Sequence, residues 1–346
     1  MGEPECWTNT YLDPRSAARD ARAIEDAGFD GVAVVDNQGI VPDPFVVLGQ
    51  AAEGTTRLGL ATGTCNPETR HASALAGAAA TVAAASGNRM TLGLGRGLSA
   101  NWEIGRPPTP LREFERYLTA VCGYLRGRKV DENGVDASLK WLRAFGAPQV
   151  PVEVTATGQK VIACSALIAD RLAFAVGADP DRVRWAVDTA RLARKAAGLE
   201  PNGIGYGAYV QAYPHPDVGR AVALARGPVS GLASLSGRSE NDGAGQSDAD
   251  RQEFLRLNQG YDRRRHTFSS SPQALAMSDE FVARFAALGP VSEVVGRLQA
   301  ILDSGVTRLY LSFPAADADP TDAAESQHLL ATQVVPALRS YGSTQS

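Results

Sequence analysis

Short apolar runs alternate with helix-forming segments along the chain, and this alternation recurs eight times. The run "GVAVVD" at 31–36 is representative, because it is short, β-branched and almost uninterrupted by polar residues, like a parallel strand buried on both faces. The predicted strands are 5–12, 31–36, 56–63, 89–95, 150–156, 171–176, 203–213 and 306–314. Eight strand–helix units in 346 residues predict an α/β fold, a single (β/α)8 TIM barrel spanning 1–346. A doubly wound open sheet is the alternative, because strand counting does not establish closure.

Helix boundary residues follow the same repeat. In the first helix Asp13 is placed as the N-cap, Pro14 lies in the first turn and Gly28 follows the last turn. The predicted helices are 13–28, 43–53, 71–86, 110–126, 159–169, 179–198, 289–305 and 322–340. A helix after each strand is the order that a barrel requires.

The segment 214–288 holds the length in excess of a simple barrel and follows the seventh strand. Its centre at 231–250, "GLASLSGRSENDGAGQSDAD", is rich in Gly, Ser and Asp, which predicts a mobile loop. Helical patterns flank it at 217–226, 249–259 and 278–288. Because such an insertion lies at the C-terminal rim, we expect either a lid over the active site or a surface excursion without function.

Composition restricts the class of partner. The chain has 44% hydrophobic residues, 21% charged residues and a net charge of −4, which gives no attraction to nucleic acid or anionic membranes. Cys6, Cys65, Cys122 and Cys164 lack metal-ligand spacing, so free thiols in a reducing cytoplasm and no metal site are expected. No apolar stretch reaches the roughly 20 residues of a membrane helix, and no signal peptide is evident. A cytoplasmic protein acting on a small molecule is expected.

The fourth predicted strand ends in glycines at alternate positions. The stretch "RMTLGLGRGLS" at 89–99 places Gly93, Gly95 and Gly97 around Arg96. The spacing differs from the GxGxxG of dinucleotide-binding units, and the strand is the fourth rather than the first. Either a ligand approaches the backbone here, or the turn from strand to helix is simply tight.

The fifth predicted strand ends in a second turn of small residues, "VTATGQKV" at 154–161. Thr157 and Gly158, with the amides of Gln159 and Lys160, would face an anion at a helix N-terminus. Since strands four and five are neighbours in a barrel, the two turns together would hold a phosphorylated ligand.

The third strand ends in "LATGTCNPETRH" at 60–71. Gly63 precedes Thr64, and Asn66 follows shortly after. A glycine here permits an unusual backbone shape and the close approach of a flat ligand.

These stretches carry a family resemblance. The run "AGFDGVAVVDNQG … RLGLATGTCNPETRHASALAGAAATVAAASGNRMTLGLGRG", with "TATGQK" as a phosphate turn, resembles the luciferase-like flavin-dependent oxidoreductase superfamily. It is most similar to the branch that contains methylenetetrahydromethanopterin reductase and other coenzyme F420 enzymes. The resemblance covers about 5–213 and 260–340 and fails across 227–250.

The resemblance implies a deazaflavin or FMN ring lying across the barrel mouth. It implies a non-proline cis peptide bond between Gly63 and Thr64 that supports the back face of the ring. The residues that it places at the cofactor are Asp36, Thr62, Gly63, Thr64, Asn66, Gly93, Gly95, Arg96, Gly97, Ala156, Thr157, Gly158, Gln159 and Lys160. The family usually has His after its strand-two aspartate, where this chain has Asn37. Some sugar-phosphate-oxidising relatives carry a catalytic Glu at the position of Arg96, so their proton-transfer scheme does not carry over.

The candidate catalytic residues are Asp36, Asn37 and His266. His266 follows the proposed lid and could protonate a substrate near neutral pH, or it could simply be an exposed or capping residue. Asp36 would point into the mouth if the strand register holds, or it would cap the following turn. Structural roles are expected for the other histidines, His71, His215 and His328.

Further rim residues are weaker candidates. The basic triplet 263–265 would hold the polyglutamate tail of F420, or it is a solvated helix face. Residues on strands one and seven would line the substrate side of the mouth, namely Trp7, Thr8, Asn9, Tyr209 and Gln211.

Three functions follow from these observations. The first is an F420-dependent oxidoreductase that transfers hydride between the deazaflavin and a small organic substrate. The second is an FMNH2-dependent luciferase-like monooxygenase served by a separate flavin reductase, because the same barrel supports both chemistries. The third is a cofactor-binding paralogue without catalysis. The resemblance also implies a homodimer paired through helices two and three.

Overall fold

A computed structural model describes residues 3–235, 246–312 and 314–344. Its centre is a closed barrel of eight parallel strands arranged in chain order. The strands are β1 Glu5–Thr10, β2 Gly31–Val34, β3 Gly59–Thr62, β4 Met90–Leu94, β5 Val152–Ala156, β6 Arg171–Phe174, β7 Gly205–Val210 and β8 Arg308–Ser312. The pairing of β1 with β8 closes the sheet, so the predicted TIM barrel is confirmed and the open sheet is excluded.

One helix layer surrounds the barrel. Its members are α1 Ala17–Asp26, α2 Pro44–Gly54, α3 Ala72–Ala85, α4 Leu111–Leu125, α5 Gln159–Ser165, α6 Pro180–Ala196, α7 Val291–Leu302 and α8 Pro320–Leu329. Three of these helices start with the same Asp–Pro pair, in which the carboxylate of Asp43, Asp179 or Asp319 accepts hydrogen bonds from first-turn amides. None of the helices in the described part of the chain is long and apolar enough to cross a membrane.

Side chains alternate between the helix layer and the barrel interior. The interior cluster contains Trp7, Ala33, Ala61, Ala173, Ala175, Tyr209 and Tyr310. The Trp7 ring fills the space that side chains at Gly31 and Gly59 would need. Aromatic rings therefore fill the middle of the barrel, whereas small residues line the positions nearer its C-terminal end.

A charged network fills the N-terminal end of the barrel, and no sequence pattern indicated it. The Glu153 carboxylate accepts a hydrogen bond of 2.5 Å from the Tyr310 hydroxyl and lies 3.5 Å from Arg171 Nε. The Arg308 guanidinium bonds Glu5 at 2.7 Å and stacks 4.2 Å from the centre of the Trp7 indole. These charges can be buried because each has at least one opposite partner.

The region between β7 and β8 differs from the sequence prediction in three places. The helix predicted at 217–226 extends over Val218–Ala233 and so includes the start of the predicted loop 231–250, whereas the helix predicted at 249–259 is present as Asp248–Asn258. The remaining loop residues 236–245 lie outside the described residues. The helix predicted at 278–288 ends at Phe285, and Ala287–Gly289 pairs with Ala212–Pro214 as a short parallel sheet.

Two further elements were not predicted. Val130–Glu132 and Val135–Ala137 form an antiparallel hairpin after α4, and Ser99–Glu103 forms a one-turn helix after β4. The helix α5 ends at Ser165, four residues before its predicted end at 169. Short polar or mixed segments such as these have too little periodicity to reveal their structure.

Candidate active site

The end of β3 has an irregular backbone at the barrel mouth. The peptide bond between Gly63 and Thr64 is cis, as the resemblance implies. Beside it the Thr62 hydroxyl accepts a hydrogen bond of 3.0 Å from Gly93 N and donates one of 2.9 Å to Gly93 O. The Thr62 side chain thus replaces regular pairing where β3 departs from β4. The Cys65 amide then bonds Gly93 O at 2.9 Å and restores the pairing.

The interior side of Gly63 is closely packed below the mouth. A Cβ atom at Gly63 would lie 2.6 Å from Asn9 Nδ2 and 3.3 Å from the Tyr209 hydroxyl. Asn9 Nδ2 donates a hydrogen bond of 3.0 Å to Ala33 O, which fixes its amide across β1 and β2. Asn9 and Tyr209 therefore lie next to the cis peptide, and their proposed contact with substrate stays a prediction.

The other predicted lining residues make their contacts elsewhere in the structure. Trp7 lies deeper, in the interior aromatic layer, and its indole donates a hydrogen bond of 2.8 Å to Glu5. The Gln211 side chain accepts a hydrogen bond of 2.6 Å from the Tyr213 hydroxyl. Thr8 pairs with Leu311 and Val32 in the barrel ladder.

The glycine turn after β4 lies directly against β3. A Cβ atom at Gly95 would lie 3.0 Å from Thr64 Oγ1, so a side chain at this position would crowd Thr64. Gly97 has φ +75°, a conformation that favours glycine. Arg96 Nε donates a hydrogen bond of 2.6 Å to Thr109 O, which ties the turn to the segment before α4. Gly95 therefore permits the close approach of this turn to β3, and Gly97 provides the backbone conformation of the turn.

The turn after β5 lies next to the glycine turn, because Leu94 of β4 pairs with Val154 of β5. Ala156 ends the strand, and Gly158 precedes the seven-residue helix α5, which no side chain of the described residues caps. Thr157 lies between them with its hydroxyl 3.5 Å from Leu235 O. The remaining predicted residues of this turn, Gln159 and Lys160, are exposed in the first turn of α5.

Asp36 is engaged by neighbouring side chains at the end of β2. Its buried carboxylate accepts a hydrogen bond of 3.2 Å from Arg70, whose other nitrogen bonds Asp43 at 2.7 Å. Burial raises the pKa of Asp36, and a hydrogen bond from Cys65 and the charge of Arg70 oppose that increase. The structure thus places Asp36 in an ion pair beside the strand ends.

Two asparagines at the mouth carry amide groups with no hydrogen-bond partner. Asn37 Nδ2 and Asn66 Nδ2 are both buried, and neither has a hydrogen-bond partner within residues 3–235, 246–312 and 314–344. Their oxygens are engaged: Asn37 Oδ1 accepts from Gly39 N at 3.1 Å, and Asn66 Oδ1 accepts from Glu68 N at 3.0 Å. Each amide therefore keeps a donor from which a water molecule or a ligand can accept a hydrogen bond.

The insertion covers part of the mouth. Leu232 and Leu235, at the end of the helix Val218–Ala233, pack against the interior cluster of the barrel. Beside this helix a Cβ atom at Gly231 would lie 3.3 Å from His266 Cε1. The first helix of the insertion thus extends over the open end of the barrel.

An aromatic cluster joins the insertion to the loop after β4. The Tyr261 hydroxyl lies 2.6 Å from His266 Nδ1, and the Trp102 ring centre lies 5.5 Å from that of Tyr261. Arg263 stacks 4.7 Å from the centre of the Trp102 ring, whereas Arg265 bonds Ser270 at 2.6 Å. No sequence feature indicated that Trp102, from a separate loop, would meet these residues.

The remaining histidines lie away from this cluster. His71 is the N-cap of α3 and accepts a hydrogen bond from Ser73 N. His215 is buried, accepts a hydrogen bond of 3.0 Å from Asp217 N and lies 3.5 Å from Glu325. His328 lies in the last turn of α8. Their positions agree with the structural roles expected for them.

A closed parallel barrel with an irregular, glycine-rich mouth is the architecture of (β/α)8 barrel enzymes. The sequence profile of the luciferase-like monooxygenase family matches residues 1–308, and the chain belongs to that family. Its relatives and structural neighbours are oxidoreductases and monooxygenases.

Three similar proteins illustrate the range of the family. The chain is 26% identical over 302 residues to the 5,10-methylenetetrahydromethanopterin reductase of Methanolobus tindarius, covering 85% of this chain and 89% of the relative. The coenzyme F420-dependent tetrahydromethanopterin reductase of Methanopyrus kandleri superimposes with a TM-score of 0.75 at 19% identity, covering 98% and 100% of the two chains. The oxygenating constituent of 3,6-diketocamphane monooxygenase from Pseudomonas putida, in complex with FMN, superimposes with a TM-score of 0.65 at 14% identity, covering 96% and 98%.

Proposed function

We propose that the protein is an F420-dependent oxidoreductase that transfers hydride between the deazaflavin and a small organic substrate. The observation that carries the proposal is that the ends of β3, β4 and β5 lie side by side at one end of the closed barrel, where Gly93 and Gly95 pack directly against Thr62 and Thr64. The likeness to methylenetetrahydromethanopterin reductase along most of the chain favours F420 as the cofactor.

The residues of the mouth fit a planar ring with carbonyl oxygens. A Cβ at Gly95 would crowd Thr64, and the amide of Asn66 keeps a donor from which a ring oxygen can accept a hydrogen bond. The cofactor supplies hydride chemistry when bound. The chain's own residues would hold it: the backbone of Gly63 and Thr64 beneath the ring, and the adjoining turns at 93–97 and 156–160 around the side chain and phosphate.

His266 is proposed to hold and move the proton that accompanies hydride transfer. The contact between the Tyr261 hydroxyl and His266 Nδ1 would orient the imidazole, and His266 lies next to Gly231 of the helix that extends over the mouth. The segment 214–288 would then act as a lid within one domain spanning the chain. The basic triplet 263–265 would bind the acidic tail of F420.

Titration with F420 and with FMN, followed by ring fluorescence, tests the proposal. F420 should bind tightly, and the Gly63→Ala variant should bind it roughly tenfold more weakly because the added methyl group displaces the Asn9 amide. Gly49→Ala is the matched control, since a Cβ at Gly49 meets nothing within 4 Å. Tight binding of FMN without binding of F420 would overturn the choice of cofactor, and binding of neither would favour a protein without catalysis.

An FMNH2-dependent monooxygenase is the second candidate, favoured by the likeness to an FMN-containing monooxygenase. A separate flavin reductase would then supply reduced FMN. Consumption of oxygen by the protein with chemically reduced FMN and candidate substrates, above the rate of free FMNH2, would support this alternative. An unchanged rate would count against it.

A homodimer paired through α2 and α3 is a further proposal, based on the family resemblance. Light scattering coupled to size-exclusion chromatography should give twice the mass of the chain, 36.4 kDa. A monomeric mass would contradict it.

A further inference from the structure

The insertion between β7 and β8 has a hydrophobic core of its own. Its buried side chains, among them Val222, Phe254 and Phe281, form a cluster separate from the core that the barrel strands share with the helix layer. The helix Val218–Ala233 belongs to the insertion, and Leu232 near its end packs against the interior cluster of the barrel. A displacement of the insertion would therefore uncover part of the mouth.

Trp102 is fixed to the barrel side of the mouth. It follows β4 in a one-turn helix, where the buried Asn101 side chain donates a hydrogen bond of 3.0 Å to Pro107 O. Gln38 Nε2, from the loop after β2, donates a hydrogen bond of 3.0 Å to Ala100 O in the same helix. The indole is thus carried by a loop that is tied both to its own following segment and to the loop after β2.

Tyr261, Arg263 and His266 belong to the insertion and are fixed to its first helix. The Tyr261 hydroxyl lies 2.6 Å from His266 Nδ1, and a Cβ atom at Gly231 would lie 3.3 Å from His266 Cε1 and 3.2 Å from Thr267 Cγ2. Thr267 has φ +67°, which a β-branched residue keeps only where packing holds the backbone. This segment therefore moves together with the helix that extends over the mouth.

Aromatic rings and a guanidinium group form the contact between the two sides. The Trp102 ring centre lies 5.5 Å from that of Tyr261 and 6.5 Å from that of His266, and the Arg263 guanidinium lies 4.7 Å from it. The three rings are half-buried and Arg263 is exposed. A tilted ring pair and a cation–π contact outside the core together change an equilibrium constant by about tenfold, so thermal motion can break and re-form this contact.

We propose that the Trp102 ring is a catch that holds the insertion closed over the barrel mouth, and that a ligand enters and leaves when Tyr261 and Arg263 part from it. The inference rests on the proposed function for the identity of the ligand, whereas the opening movement does not depend on that identity. Trp102 belongs to none of the hydrophobic clusters of the described residues, so its removal leaves the cores of the barrel and the insertion intact.

Stopped-flow ring fluorescence of the full chain with F420 measures the rates of entry and exit. Because the catch closes the mouth with or without a ligand, Trp102→Ala should raise the association and dissociation rate constants together by about tenfold and change the dissociation constant less than about twofold. Trp102→Phe keeps a ring, so its rate constants should lie between those of the wild type and Trp102→Ala. Hydrogen exchange without ligand should be faster across 261–268 in Trp102→Ala than in the wild type.

Trp185→Ala is the matched control. Trp185 is half-buried on α6 with its ring centre 5.6 Å from the Arg182 guanidinium, so this variant removes the same kind of contact from the helix layer. Its F420 rate constants and its exchange across 261–268 should equal those of the wild type. Unchanged rate constants and exchange in Trp102→Ala, or a faster dissociation alone that raises the dissociation constant about tenfold, would overturn the inference. If the wild type binds no F420, the proposed function fails, and hydrogen exchange still decides whether the catch exists.

Discussion

The buried carboxylate of Glu153 allows a quantitative prediction of stability. Its side chain is 2% exposed and lies 3.7 Å from the Arg308 guanidinium and 3.5 Å from that of Arg171. The carboxylate also accepts a hydrogen bond from the Tyr310 hydroxyl. Glu153→Ala leaves the nearly buried Arg308 with Glu5 as its remaining carboxylate partner. Breaking a buried ion pair from one side costs about 3–5 kcal/mol, so we expect a loss of that size in the free energy of unfolding.

The expected change in melting temperature follows from the size of the chain. An unfolding entropy of about 2.1 cal/mol/K per residue gives roughly 0.7 kcal/mol/K for 346 residues. A loss of about 3–5 kcal/mol then lowers the midpoint by roughly 4–7 °C. Differential scanning calorimetry measures this shift directly.

Two variants make the result specific. Glu153→Gln keeps an acceptor for the Tyr310 hydroxyl but removes the charge, so its midpoint should lie between those of the wild type and Glu153→Ala. Glu115→Ala removes an exposed carboxylate from α4 and should change stability by at most about 0.5 kcal/mol. A Glu153→Ala midpoint equal to that of Glu115→Ala would refute the argument. Cofactor affinity should not change, since the network lies at the opposite end of the barrel.

Two further predictions concern ionisable groups near the mouth. Burial raises the pKa of Asp36 above its unfolded value, so the wild type should lose stability relative to Asp36→Asn as the pH rises from about 4 through that pKa. Thermal melts at several pH values measure the difference in melting temperature between the wild type and Asp36→Asn. A wild type that gains stability relative to the variant as the pH rises would contradict the prediction. His266→Asn should keep F420 affinity and lose turnover; steady-state kinetics test this, and unchanged turnover would exclude the role.

The barrel could be predicted from the sequence because its repeat is local. Parallel strands covered on both faces need continuous apolar runs such as 31–36, and each helix needs its own cap and apolar stripe. The end of the fourth strand was also recognisable, since glycine at Gly97 meets a backbone requirement that acts at that residue, φ +75°. The cis peptide was implied by family resemblance and not by any local propensity.

Contacts between distant segments could not be predicted. The Asp36–Arg70 pair, the meeting of Trp102 with Tyr261, and the Glu153 network all depend on how loops and strand starts come together. Alternation along a strand fixes two faces but does not say which residues on other strands lie opposite. The helical start of the predicted loop 231–250 was missed because the loop's Gly- and Ser-rich composition conceals the end of the helix Val218–Ala233, which packs against the barrel.

The sequence by itself thus determined the order of strands and helices and the glycine-rich turns at the strand ends, because both depend on residues adjacent in the chain. Only the tertiary structure decided which polar groups are paired and which remain unpaired. That distinction separates Asp36, held by Arg70, from its neighbour Asn37, whose amide lacks an acceptor. The physical reason is that hydrogen bonds and ion pairs depend on distance in space, which adjacent residues do not specify.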